Sequence, residues 1–205
     1  MAKAVYTEID WTERKDRFWA NFFNTLSGAR SSVLIGTSDN SGNYNLAIFN
    51  SLVHFGANPP LMGFILRPTT VPRGTYKNIK ETGLCTINHV TTDMINQAHQ
   101  TSAKYEADES EFDAVNLQPE LDESGAPFVE KSPIKFLMRF KEEHHLMNDT
   151  LLIVGQIEKV ILNNEIMEED GSIKVADEDL IVTSGLYHYH SVNFRVKKDF
   201  ARPSK

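Results

Sequence analysis

Strand-length apolar runs set off by turn residues recur along this 205-residue chain, and no regular alternation of strand with helix accompanies them. Ser32-Val33-Leu34-Ile35-Gly36-Thr37 is followed by the turn cluster Ser38 to Asn43 and then by Tyr44 to Val53, which together read as a β-hairpin. Asn58-Pro59-Pro60 leads into a run from Leu61 to Leu66, expected to be a strand buried on both faces with the prolines at its start. Leu84 to Asn88 reads as a further strand. Two long ones follow, Ile134 to Glu143 and Leu151 to Leu162, the first alternating through Phe136, Met138 and Phe140. Leu180 to Thr183 and Leu186 to His190 supply the last β segments. Only three helical patterns interrupt them. Asp10 is the expected N-cap of a helix whose apolar face is Trp11, Phe18, Trp19, Phe22, Phe23 and Leu26, stopped by Ser27-Gly28. Thr75 to Thr82 is closed by Gly83, and a helix is expected from Thr92 or Asp93 to about Ala103. Lys104 to Glu130 is acidic and irregular, a long surface loop on this reading. The pattern predicts a mainly β (α+β) fold, an antiparallel barrel with helical additions.

No repeat or linker divides the chain, so one domain is expected over residues 1–205, with an N-terminal helix at about 10–27 and the barrel at about 30–195. Apolar residues at 40% and charged residues at 24% exclude a disordered or fibrous chain. A formal charge of −7 argues against nonspecific binding to nucleic acid or anionic membrane. No window is apolar enough to span a membrane, and the N-terminus lacks a signal core, which predicts a cytoplasmic protein. The single cysteine, Cys85, excludes an internal disulfide and sits in a strand-core setting.

The charges are unevenly placed. Asp and Glu number 28, and an even spread would put five or six of them between Asn40 and Lys80; there are none, while Arg67, Arg73, Lys77 and Lys80 are present. Buried strands exclude carboxylates too, so part of the gap has that cause. The basic end of the segment does not. An anionic ligand explains it, since phosphate is repelled by carboxylates and gains charge-assisted hydrogen bonds from Arg, Lys, hydroxyls and backbone N–H groups.

The richest constellation is Arg67-Pro68-Thr69-Thr70-Val71-Pro72-Arg73-Gly74-Thr75-Tyr76-Lys77-Asn78, between a strand and a helix start. Two guanidinium forks, three threonine hydroxyls and free helical N–H groups suit a phosphate monoester, although an ordinary basic loop has the same composition. Neither a Walker loop nor a dinucleotide glycine fingerprint is present. Asn50 and Ser51 place polar groups beside an apolar strand, where they serve either a heterocycle or a strand-end turn. Among seven histidines, His188 and His190 share a strand face and His144 and His145 do not; no cysteine pair or HExxH accompanies them, so no metal site is assigned.

Taken in order, these segments resemble the flavin reductase-like proteins with the FMN-binding split-barrel fold. The matching residues are Asn45-Leu46-Ala47-Ile48-Phe49-Asn50-Ser51, Asn58-Pro59-Pro60-Leu61, Arg67 with Thr75 to Gly83, Cys85-Thr86-Ile87-Asn88, Ser102…Tyr105…Ser110-Glu111-Phe112, and Gly185-Leu186-Tyr187, across residues 30 to 195. The resemblance implies a six-stranded split barrel, a homodimer, and FMN in a groove near the subunit boundary. It would place Asn50, Ser51 and Leu52 on the flavin ring or ribityl chain. Arg67, Thr75 and Asn78 would hold the phosphate, with Arg73 and Lys77 as further candidates. Ser102, Tyr105, Ser110 and Phe112 would border the face open to a nicotinamide or other substrate. Asn116 stands where the family pattern has a glycine. The expected activity is FMN-dependent transfer of hydride or electrons between NAD(P)H and flavin or another small acceptor, with no side-chain acid or base assigned. The alternatives are an FMN electron carrier and a cofactor-free dimeric binding domain.

Overall fold

The computed structural model describes residues 3–13, 17–68, 70, 73–106 and 109–203. Its strands are β1 Ala29–Ser31, β2 Val33–Ser38, β3 Tyr44–Phe49, β4 Val53–Ala57, β5 Pro60–Leu66, β6 Leu84–His89, β7 Pro119–Glu120, β8 Phe128–Val129, β9 Ile134–His145, β10 Leu151–Leu162, β11 Ile181–Ser184 and β12 His188–Ser191. The helices are α1 Glu8–Glu13, α2 Phe18–Leu26, α3 Gly74–Thr82, α4 Ile95–Gln100, which follows the 3-10 turn Thr92–Met94, and α5 Glu111–Ala114. Among the described residues no helix is long and apolar enough to cross a membrane.

Seven strands form one antiparallel sheet in the order β3-β2-β6-β9-β10-β5-β4. Its two edge strands are consecutive in the chain, joined only by Asn50, Ser51 and Leu52. Laid flat, seven strands would separate the edges by about 29 Å, whereas the four virtual bonds from Phe49 to Val53 reach at most about 15 Å. The sheet therefore has to roll up, and the split in the barrel lies where residues 50–52 cross it. Six strands were expected and seven are found: the run Tyr44 to Val53 is not one strand, because Ser51 leaves the ladder and its hydroxyl bonds to both the N–H and the C=O of Ile65 at 3.0 and 3.2 Å.

The barrel interior shows the two-residue period of its strands: Val33 and Ile35, Phe64 and Leu66, Cys85 and Ile87, Phe136 and Met138, Leu151 and Ile153 all face in. Burial pushes the Cys85 thiol up to about 12, leaving it an inert core side chain. Ile79 of α3 joins this core, so α3 closes one end of the barrel. On the outer face, Leu34 and Leu46 are covered by Met94, Ala98, Phe112 and Leu117. Of the expected surface loop, residues 111–130 are thus packed down on the barrel. Phe112, Leu117 and Phe128 are at most 2% exposed, and Lys135, itself 4% exposed, donates to Glu120 Oε2 at 2.5 Å and to the carbonyls of Val129 and Glu130. A buried ammonium persists only with such partners. Asn88 fastens the same segment from inside: its Nδ2 donates to Leu34 O and Thr86 Oγ1, and its Oδ1 accepts from Val129 N at 2.8 Å.

The N-terminal apolar pattern forms two helices, not one. Thr7, not Asp10, begins α1; Asp10 reaches back to the Thr7 N–H at 2.6 Å, half of a capping box. Trp19 anchors α2, edge-on to Tyr6 and Phe22, with its indole N–H on Asp10 O. Residues 14–16 and the Trp11 side chain lie outside the described residues. A small sheet, β1-β11-β12, brings the chain's end back beside its beginning.

His89 closes β6, and burial pushes its imidazole down to about 4. It folds neutral. Below pH 6.5 the unfolded chain takes up a proton that the native state refuses, so stability should fall as pH drops from 6.5 towards 4, by up to about 3 kcal/mol. Urea unfolding at pH 7 and pH 4.5 measures this, and a His89→Gln variant should show a smaller difference.

Candidate functional site

Helix α3 begins without a side-chain cap. Its N-cap residue is Arg73, in an extended conformation, no acidic residue stands in its first turn, and Gly83 ends it with φ 73°. Four first-turn N–H groups and the positive end of the helix therefore face an unpartnered position. Arg73 Nε is buried there with no hydrogen-bond partner among the described residues. Such an orphan is uncommon, because a buried donor loses its water and gains nothing.

The helix start is tied to the barrel by amides and hydroxyls. Asn45 of β3 lies so close that a Cβ on Gly74 would stand 2.2 Å from its Oδ1, so any side chain there would push the Asn45 amide aside. Asn45 Nδ2 donates to Thr75 Oγ1 at 3.0 Å, and Asn78 Nδ2 donates to Thr37 Oγ1 at 3.2 Å. Thr75 and Asn78 are buried. Thr75 keeps its hydroxyl proton, and Asn78 its carbonyl oxygen, for other partners. Lys77 points away, pairing with Glu81 at 3.6 Å on the exposed side of α3. Arg67 stands one residue beyond β5, exposed, and makes no ion pair among the described residues. Thr69, Val71 and Pro72, part of the same constellation, lie outside the described residues.

The crossing at residues 50–52 is built differently. Ser51 is committed to Ile65, Leu52 packs on the barrel core, and Asn50 Nδ2 donates to Gly185 O at 2.6 Å. Those side chains hold the crossing in place. What it can offer a ligand is backbone N–H and C=O groups outside the strands, donors and acceptors that need a partner when they are covered.

Asn50 also connects this crossing to a groove of about 430 Å³ between α4 and the β11–β12 hairpin. His99 Nδ1 and the Tyr189 hydroxyl are 2.8 Å apart, and the His99 ring is edge-on to Tyr187 and Tyr189. Burial pushes the Tyr189 phenol up. Sequence reading passed over His99 and Tyr189, which are 90 residues apart and carry no motif. It came close with Ser102 and Tyr105, whose hydroxyls donate to the carbonyls of His99 and Gln100 and so brace the groove's helical wall.

The rest of the expected substrate border lies elsewhere. Phe112 is 1% exposed, against Tyr44 and Leu34, and holds the segment down instead of meeting a ligand. Ser110 Oγ is buried without a partner among the described residues. Glu111 accepts the Leu46 N–H on the free edge of β3, and burial pushes its carboxyl up against the pull of that bond. Ala107 and Asp108 lie outside the described residues. Asn116, in place of the expected glycine, has φ 55°, the left-handed region that Asn tolerates better than most residues. Asn116→Gly should leave stability within about 0.5 kcal/mol and Asn116→Val should cost about 1–2 kcal/mol, as thermal melts will show.

A rolled antiparallel sheet split at one crossing, with an uncapped helix start beside the split, defines a split-barrel protein. The model of the flavin reductase like domain matches residues 26–192, and the chain belongs to that family. A protein of Shewanella frigidimarina, provisionally assigned as a flavin reductase with a split barrel domain, is 42% identical, with a TM-score of 0.93 over 97% of this chain and 100% of that one. Nitrilotriacetate monooxygenase component B of Bacillus cereus shares the fold at 16% identity, with a TM-score of 0.83 over 96% of this chain and 100% of the other. The FMN-binding protein of Thermus thermophilus does so at 16% identity, with a TM-score of 0.67 over 87% and 93%. A comparison with curated proteins returned no match.

Proposed function

We propose that this chain is a cytoplasmic, homodimeric, one-domain FMN-dependent oxidoreductase that passes hydride or electrons between NAD(P)H and flavin or another small acceptor. The observation that carries the reading is the buried, partnerless Arg73 Nε beside the uncapped start of α3. A phosphate monoester would satisfy both at once. Arg73 and Arg67 would supply charged donors, Thr75 a hydroxyl proton, and the first turn of α3 its N–H groups, while Asn78 would keep the helix seated through Thr37. Lys77 would contribute only long-range charge. The Asn50–Leu52 backbone would face the flavin ring, held in register by Ser51 and Asn50. Bound flavin supplies the hydride and electron chemistry, and the protein's part is position and electrostatics.

Steady-state oxidation of NADH and NADPH, with and without added FMN, tests the activity. Turnover that depends on FMN is expected. A protein that holds FMN yet oxidises neither nucleotide is an electron carrier, and the oxidoreductase reading then fails.

A further inference from the structure

We propose that the corner formed by the C-terminal arm, residues 193–203, and the acidic turn at 165–178 is a self-association surface, on which a second copy of this chain docks about a two-fold axis. Two contacts hold the arm to the turn. Val192 packs on the cluster of Ile134, Ile166 and Leu180, and Lys197 Nζ reaches Glu168 Oε2 at 3.0 Å and Asp170 Oδ2 at 2.7 Å. From 193 to 203 no backbone group makes a hydrogen bond among the described residues, and exposed ion pairs of this kind hold a chain only weakly.

The corner is apolar where a lone subunit gains nothing from it. Phe194 and Val196 on the arm, and Met167, Ile173 and Val175 on the turn, are 37–72% exposed. Met167 pairs with Ile173, and Lys197 ties the arm beside them. Exposed apolar side chains need an explanation when they gather in this way, and a protein partner supplies it.

The charges select the partner. In 193–203 Arg195, Lys197, Lys198 and Arg202 stand against Asp199 alone, whereas in 165–178 Glu165, Glu168, Glu169, Asp170, Asp177 and Glu178 stand against Lys174 alone. A two-fold contact requires a surface complementary to itself, and a basic half beside an acidic half is such a surface: each copy's arm lies on the other's turn. Lys197 and Lys174 are the two cations here that pair within the chain; Arg195, Lys198 and Arg202 make no ion pair among the described residues. An anionic lipid surface or a nucleic acid would attract the arm and be repelled by the turn.

This contact is separate from the boundary expected beside the flavin groove. Leu162, in the cluster under Val192, lies ten residues along β10 from Leu152, whose partner Ile65 meets the crossing; that is about 33 Å at the rise of a strand. Added to the homodimer proposed above, it makes an assembly of four chains.

Sedimentation velocity over a dilution series reads the assembly, with FMN affinity measured beside it by fluorescence titration. Arg195→Glu/Lys198→Glu and Glu165→Lys/Glu169→Lys should each weaken association at least about tenfold, by setting like charges opposite one another. An equimolar mixture of the two should associate within about threefold of the parent, because each reversed half then meets its complement. Phe194→Ser, at a side chain too exposed to support the fold, should weaken association about tenfold as well. FMN affinity should stay within about twofold throughout, as the corner is remote from the crossing. A fall from four chains to two in the variants supports the contact; a fall from two to one supports it as well and overturns the boundary beside the flavin groove. A parent that stays a single chain, variants that assemble as the parent does, a mixture that associates no better than its components, or binding to phosphatidylglycerol vesicles that Arg195→Glu/Lys198→Glu abolishes with self-association unchanged would each overturn the proposal. A parent that takes up no FMN yet assembles in this way would overturn the flavin reading and leave the contact standing.

Discussion

Arg73→Ala should raise the dissociation constant for FMN about ten- to a hundredfold and leave the melting temperature of the flavin-free protein nearly unchanged. The two halves of that expectation have one cause. In the flavin-free chain Arg73 Nε is buried without a partner among the described residues, so the fold there gains no hydrogen bond from it and loses none when it goes. With a phosphate at the start of α3 the same group would make a charged hydrogen bond worth about 1.5–3 kcal/mol, or one to two decades of affinity. Arg67→Ala should act in the same direction. Arg73→Lys should recover only part of the loss, because an ammonium lacks the planar fork. Fluorescence titration with FMN alongside thermal melts reads both halves. An FMN affinity within twofold of the parent would remove Arg73 from the site.

Asn88→Ala should be the most damaging change to the fold, costing about 3–5 kcal/mol and lowering the melting temperature by roughly 10 °C. Asn88 is fully buried on β6 and satisfies the Leu34 carbonyl on one neighbour and the Val129 N–H on the segment that crosses the barrel's outside. Truncation leaves the Val129 N–H dry and unpaired and strips the Leu34 carbonyl of the donor it has besides its place in the β2–β6 ladder. The loss should extend to residues 112–130, although Lys135, Thr86 and Gln97 still hold Glu120, Pro127 and Val115 there, so amide exchange should speed up in that segment before it does in β9 and β10. A melting temperature within about 2 °C of the parent would show that the segment is held without Asn88.

The barrel was legible because a strand buried on one face announces itself in a two-residue period, as in Phe136, Met138 and Phe140, and because Gly83 marks a helix end. The bend at Asn50–Leu52 was not. Tyr44 to Val53 reads as one apolar strand, and only the approach of Ile65 to the Ser51 hydroxyl breaks it in two. Residues 104–130 read as loop because their anchors are sparse, Phe112, Leu117 and Phe128 among acidic residues, and because the clamp is a lysine that sequence reading places on the surface. At the candidate site, the missing carboxylates from Asn40 to Lys80 pointed to Arg67 and Arg73, since charge depletion survives in one dimension. The burial of Thr75 and Asn78, and the His99–Tyr189 pair, depend on which segments fold together, and no spacing encodes that.

The most direct test of the central claim is the visible absorption spectrum of the purified protein, taken as isolated, after addition of FMN and gel filtration, and after denaturation. The account predicts flavin bands that travel with the folded protein and are released on unfolding as FMN. A protein that stays colourless after exposure to excess FMN would contradict it, and would leave a split barrel whose basic helix start serves some other anion.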